Sequence, residues 1–262
     1  MPSVSNIAVG ALVAGAAASK ARHGMNESIA RLSTGQRSMY GGDAAGQSVA
    51  NTLQARSMSW AVAARNAEDG ISAAQTAESA LLEIAALAQR LRELGIQADN
   101  AALLSTSSDV AALNAEAAAL GTAIDAIVTK ATFNGVTVLS KADLTRAIGV
   151  TDDGGTTTLT FKAVSLATRT AAAAADGSAD TTLQEVAIAL GNVAAGIAAL
   201  KGRQAVAYSA SANLAAAASR VEDTDFAKET ANLAKNSVLN QSAMAMVAQA
   251  NQAQSAILAV LQ

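Results

Sequence analysis

The chain has 262 residues, room for one large domain or two modest ones, with no cysteine and a formal net charge of −3. That balance leaves no basic footprint for nucleic acid, and the missing thiols exclude disulfides and thiolate metal sites. Hydrophobic residues make up 51%, but with three Phe, two Tyr and one Trp the apolar content is mostly alanine, which favours long, closely packed helices over a dense single-core enzyme.

Residues 1–35 and roughly 203–262 read as long amphipathic helices with too little bulky apolar surface for a private core, a pattern that waits for neighbours. The single proline is Pro2, so nothing further along forces a break. Residues 7–18 (IAVGALVAGAAA) look like the apolar part of a signal peptide. However, no Lys or Arg precedes Lys20, and the run is too short to span a bilayer. Neither a cleaved signal nor membrane insertion is expected. Ser33-Thr34-Gly35 predicts the stop of the first helix, Gly41-Gly42 a connector, and Asp43 the N-cap of the next.

From Ala44 to about Asn100 the pattern is helical, with Gly70 a weak point and Ile84, Leu87, Leu91 and Leu94 forming one apolar stripe. Ser107-Ser108-Asp109 caps a further helix, striped by Leu113, Leu120, Ile124 and Ile127 and ending by Lys130. Two hairpins are then predicted, one around Asn134-Gly135 and one with strands 145–151 and 156–164 flanking Asp152-Asp153-Gly154-Gly155. Residues 168–180 read as a loose surface loop. Helical periodicity returns near Leu183, is interrupted at Asp223, Thr224 and Asp225, and runs to the end. The predicted fold class is mainly α, a long-helix bundle or coiled coil with a small β-hairpin region.

Few residues carry chemistry. His23, the only histidine, has no local partners for a triad or zinc site, and a surface or interface role is expected. Asp152-Asp153-Gly154-Gly155 lacks the alternating acids and terminal Glu of a calcium loop, so a turn is the expectation. No HExxH motif is present. Neither a cofactor nor an enzymatic activity is expected.

Several segments, in order, resemble bacterial flagellin: RLSTGQRSMYGGDAAGQSVAN (31–51), RNAEDGISAAQTAESALLEI (65–84), QRLRELGIQ (89–97), TFNGVTVL (132–139), DTDFAKETANLAKN (223–236) and AMVAQANQAQSAILAVLQ (245–262). The resemblance implies an inner, lumen-lining domain of paired terminal helices, 1–42 and 222–262. Residues 43–221 would form an outer rod domain with three long helices and a β-hairpin region at about 132–164. It would be a short form without a variable outer insert. Two departures stand out. Gly42-Asp43 replaces the usual pair of acids before Ala-Ala-Gly, and the first 20 residues are unusually apolar.

The implied function is a structural subunit of the flagellar filament, exported unfolded through the flagellar type III system. It would be secreted and polymerised into an extracellular helical tube, alone or mixed with other flagellins. Its implied partners are copies of itself, an export chaperone, filament cap and junction proteins, and the vertebrate Toll-like flagellin receptor. Rival readings are a hook–filament junction protein and a surface adhesin on the same scaffold. Subunit contacts are expected at Phe226, Leu233, Met244, Val247, Ile257, Leu258 and Leu261. Met244 and Met246, with Phe226 and Leu233, read as coiled-coil core or as a chaperone-binding face. Gln89, Arg90, Leu94 and Glu116 are expected to share a filament-contact and receptor surface, and Gly41, Gly42 and Asp43 to set the interdomain connector.

Overall fold

A computed structural model describes residues 4–37, 43–100, 107–165 and 172–261. Its elements are α1 (Val4–Thr34), α2 (Ala44–Asp99), α3 (Ser107–Lys130), the strands β1 (Thr132–Phe133), β2 (Val136–Thr137), β3 (Leu144–Gly149) and β4 (Thr156–Phe161), then α4 (Ala175–Glu222) and α5 (Phe226–Leu261). The mainly helical architecture expected from the composition is what forms. The chain divides into two compact units, Met1–Ala55 with Leu214–Gln262, and Arg56–Asn213. The division falls within α2 and α4, whereas the sequence marked its boundary at the Asp43 connector.

In the first unit, α1 pairs with α5. Local chemistry sets the ends of these helices. Gly35 takes a φ of +75°, and its N–H donates to the Arg31 carbonyl at 2.8 Å, the left-handed helix stop that glycine favours. The chain leaving α1 then pairs antiparallel with the α4–α5 junction through Gln36 and Asp223. Arg37 N–H donates to Glu222 O at 2.7 Å and Thr224 N–H to Gly35 O at 2.8 Å. Asp225 caps α5, its carboxylate accepting from the N–H groups of Ala227 and Lys228 at 3.0 and 3.2 Å.

In the second unit, α2, α3, α4 and the hairpins enclose the main apolar core, beside a smaller cluster of Ala67, Val150 and Leu200. Leu81, Ile84, Leu91 and Leu94 come from α2, Ile124 and Val128 from α3, Val186 and Val193 from α4, and Leu159 and Phe161 from β4. The predicted stripes are therefore the core stripes, with Leu87, Leu120 and Ile127 packed at their margins. Gly70 does not interrupt α2. A Cβ there would sit 3.0 Å from Leu200 Cδ1 and 3.2 Å from Ile148 Cγ1, so the glycine makes room for packing. Helices α3 and α4 are long and apolar enough to cross a membrane by length and composition. Much of that apolarity is alanine, and their Val and Ile residues at 124, 128, 186 and 193 lie in the core.

Both hairpins form at the predicted turns. Asn134 and Gly135 adopt φ of 49° and 75°, the two left-handed residues of a type I′ turn. Strands β3 and β4 pair from Leu144↔Phe161 to Gly149↔Thr156. Asp153 accepts from the Thr151 hydroxyl and the Gly155 N–H, while Asp152 pairs with Arg56 at 2.6 Å. Asp153 therefore closes the turn, and Asp152 fastens it to α2. Among the described residues, no group of three or more His, Cys, Asp or Glu gathers as metal ligands would.

The expected loop at 168–180 is corrected in part. Residues 166–171 lie outside the described residues, but a 3-10 turn at Ala172–Ala174 leads straight into α4 at Ala175. Ala172, Ala175 and Ala179 are buried, and Ala172 N–H donates to Asn114 Oδ1 at 2.7 Å. Tertiary docking converts a run that reads locally as a turn. Gly95 of α2 accepts this start of α4, because a Cβ there would lie 3.0 Å from Asp176 Cα. Gly95→Ala is expected to lower stability by about 1–3 kcal/mol through overpacking, although alanine is the better helix former; a urea melt checks it.

Candidate assembly surface

The two terminal helices meet through small and polar side chains. On α1, Ala18, Ala21 and Ser28 are buried, and Gly24 receives the side chain of Asn236, whose Nδ2 would stand 2.6 Å from an added Cβ. On α5, Glu229 is buried, and Arg31 reaches its Oε1 at 3.5 Å. Burial pushes the Glu229 carboxyl up, but hydrogen bonds from Ser28 and Asn232 and the charge of Arg31 outweigh it and hold the group below its ordinary value.

Most of the bulky apolar residues of these helices are left exposed. Val9, Leu12, Val13 and Ile29 of α1 are exposed, Leu12 by 75%. On α5, Phe226, Val238, Leu239, Met244 and Met246 are exposed, while Leu233 and Val247 are half-buried. At 100° per residue, Phe226, Leu233 and Met244 lie on one flank of the line facing α1, and Leu239 and Met246 on the other. Exposed apolar surface on this scale marks an interaction site. The sequence reading missed Leu239, Val238 and the α1 residues, because a single-stripe search rejects a helix that is apolar on two sides. Ile257, Leu258 and Leu261 fall within α5, but their side chains lie outside the described residues.

The expected second surface is only partly assembled. Gln89, Arg90 and Glu116 are exposed, and Arg90 pairs with Glu93 at 2.9 Å and Glu116 at 2.8 Å. Leu94 does not join them. It is fully buried, because its position on the stripe with Leu87 and Leu91 turns it into the core. One helical turn from Arg90 is close along the axis, but Arg90 stands at the stripe's edge and Leu94 within it.

At the connector, Asp43 precedes α2 as its N-cap, with Gly46 N–H donating to its Oδ1 at 2.8 Å. Arg37 pairs with the same carboxylate at 2.8 Å. The Gly46 N–H and then the Arg37 guanidinium hold the Asp43 carboxyl below its ordinary value. A Cβ at Gly46 would run into that carboxylate, so a larger residue there would displace the cap. Gly41 and Gly42 lie outside the described residues.

Two family descriptions match the chain. Residues 6–143 match the bacterial flagellin N-terminal helical region, and residues 177–261 match the bacterial flagellin C-terminal helical region. The chain belongs to the bacterial flagellin family. A flagellin of Halalkalibacterium halodurans is 34% identical, the alignment covering 90% of this chain and 91% of the relative. A Bacillus subtilis flagellin is 32% identical, over 90% of this chain and 92% of its own length. The flagellar filament 33 kDa core protein of Treponema phagedenis is 31% identical over the same shares. Full-length relatives of similar span fit a short flagellin without a large insert between its halves.

Proposed function

We infer that the chain is a structural subunit of a bacterial flagellar filament, a protein that assembles and catalyses nothing. The supporting observation is the inversion in the terminal helices, where small and polar residues join α1 to α5 while Leu12, Val13, Phe226 and Met246 are left to solvent. Such a pair buries little apolar area by itself and gains most of its order from neighbouring copies. Contacts between different surfaces on successive copies propagate as an open helix rather than a closed ring. The pair α1–α5 is then the inner, lumen-lining part and the second unit the outer rod, with Asp43 capping α2 where the chain leaves α1.

The finer reading carries the subunit out of the cell unfolded, through the flagellar type III channel to the filament tip. An export chaperone would cover the Phe226, Leu233, Met244 and Met246 flank beforehand, and cap and junction proteins would meet the ends of the array. Gln89, Arg90 and Glu116 remain available for filament contact and for the vertebrate Toll-like flagellin receptor.

Hydrogen exchange tests the coupling of folding to assembly. In monomers, amides in 9–35 and 230–256 should exchange rapidly, while those in 80–95 stay protected; equal protection would count against the model. Negative-stain microscopy should show long filaments, and short stubs would favour a junction protein.

Acid should loosen the ends. Because the Glu229 carboxyl is lowered in the folded pair, its contribution is complete above the ordinary carboxyl value, about 4.3, and is lost as pH falls through the lowered one. Light scattering of filaments on acid titration should show a shallower response for Glu229→Gln.

A further inference from the structure

The α1–α5 interface poses a register problem. The buried positions of its α1 face, Ala18, Ala21 and Ser28, are all small, with Gly24, Met25 and Leu32 half-buried beside them, so sliding one helix past the other by a turn, about 5.4 Å, exchanges small residues at the closest contacts. Apolar packing alone distinguishes such registers weakly. The bulky residues help little, because most are exposed and Met25, Leu32, Leu233 and Val247 are only half-buried.

The polar residues of α5 are placed differently. Glu229, Asn232, Asn236 and Asn240 recur at steps of three and four and lie on one face. Glu229 is buried against Ser28 and Arg31, and Asn232 Nδ2 donates to its Oε2 at 3.3 Å. Asn236 occupies the space left by the missing Cβ of Gly24. The amide oxygen of Asn240 is also buried. We propose that this polar ladder, seated on Gly24, Ser28 and Arg31, sets the register of the α1–α5 pair.

One turn either way removes Glu229 from Ser28 and Arg31 and leaves a buried carboxylate without its partners, a heavily penalised state. The same slip drives Asn236 from the glycine gap onto a residue bearing a Cβ. Buried polar side chains at single helix-interface positions are well suited to this role. The ladder therefore selects one alignment, and the apolar flanks are presented to neighbours at fixed heights.

The test reads helix register inside filaments, so it rests on the filament reading. Failure of the parent chain to assemble would tell against that reading and would be seen before any variant is compared. The chain has no cysteine, so Cys introduced at the exposed Asn26 and Lys235 are the sole labelling sites. Doubly spin-labelled subunits diluted into unlabelled ones should give one narrow distance. Replacing Glu229, Asn232, Asn236 and Asn240 together with Ala, the strongest helix former, should split or broaden that distance. A narrow peak unchanged from the parent would overturn the proposal. If the four-alanine chain does not assemble, Gly24→Leu decides. It should broaden the distance or block assembly, and adding Asn236→Ala should restore the parental peak. Parental behaviour of Gly24→Leu alone, or no rescue by the second change, would overturn the proposal.

Discussion

Deleting residues 245–262 should abolish polymerisation while leaving the second unit folded. The truncation removes the last half of α5, including half-buried Val247 and exposed Met246, together with Ile257, Leu258 and Leu261. It touches none of the core formed by Leu81, Leu91, Leu94, Ile124 and Phe161. Circular dichroism should therefore retain a cooperative melt for the remaining rod, and microscopy should find no filaments at any concentration that suffices for the full chain. Normal filaments from the truncated protein would defeat the assembly model. Loss of the rod's melt would instead mean that the two units do not fold independently.

The second large effect concerns Leu94. Leu94→Ala should destabilise the second unit by about 2–5 kcal/mol, the usual range for a leucine removed from a packed core. Gln89→Ala, on the exposed side of the same helix turns, should stay within about 0.5 kcal/mol. Urea unfolding of the two variants separates a core role from a surface role. Any loss of filament contact or receptor binding in Leu94→Ala would then be traced to a loosened rod, whereas the same loss in Arg90→Ala would be local to the Glu93–Arg90–Glu116 ion-pair cluster. A Leu94→Ala chain as stable as the parent would show that the leucine does not carry the core.

The sequence revealed most where one residue settles a local question. Gly35 ends α1, Asp43 caps α2, Asn134-Gly135 turns the first hairpin, and Asp223 to Asp225 separate α4 from α5; in each case the requirement is met within a few residues. The early start of α4 was hidden, because Ala172 and Ala175 become helical by docking near Asn114 and Gly95 rather than through any local signal. Leu94 was open to two readings. Its spacing from Leu87 and Leu91 pointed inward, and its nearness to Arg90 pointed outward; only packing decides between them. The Asn232–Asn236–Asn240 series was equally hidden, since asparagines at helical spacing read as a solvated face until the partner helix is placed against them.

The two apolar flanks of α5 bear on how growth would begin. If each flank takes a different neighbour, an incoming subunit is fully satisfied only in a notch where both are already present. Two subunits meeting in solution would cover one flank each and leave the other wet. Spontaneous initiation would then be slow, with a lag that short filament fragments remove, and elongation would be confined to an existing end. Mutating Phe226 and Met244 on one flank, or Leu239 and Met246 on the other, should lengthen that lag far more than it shortens the final filaments.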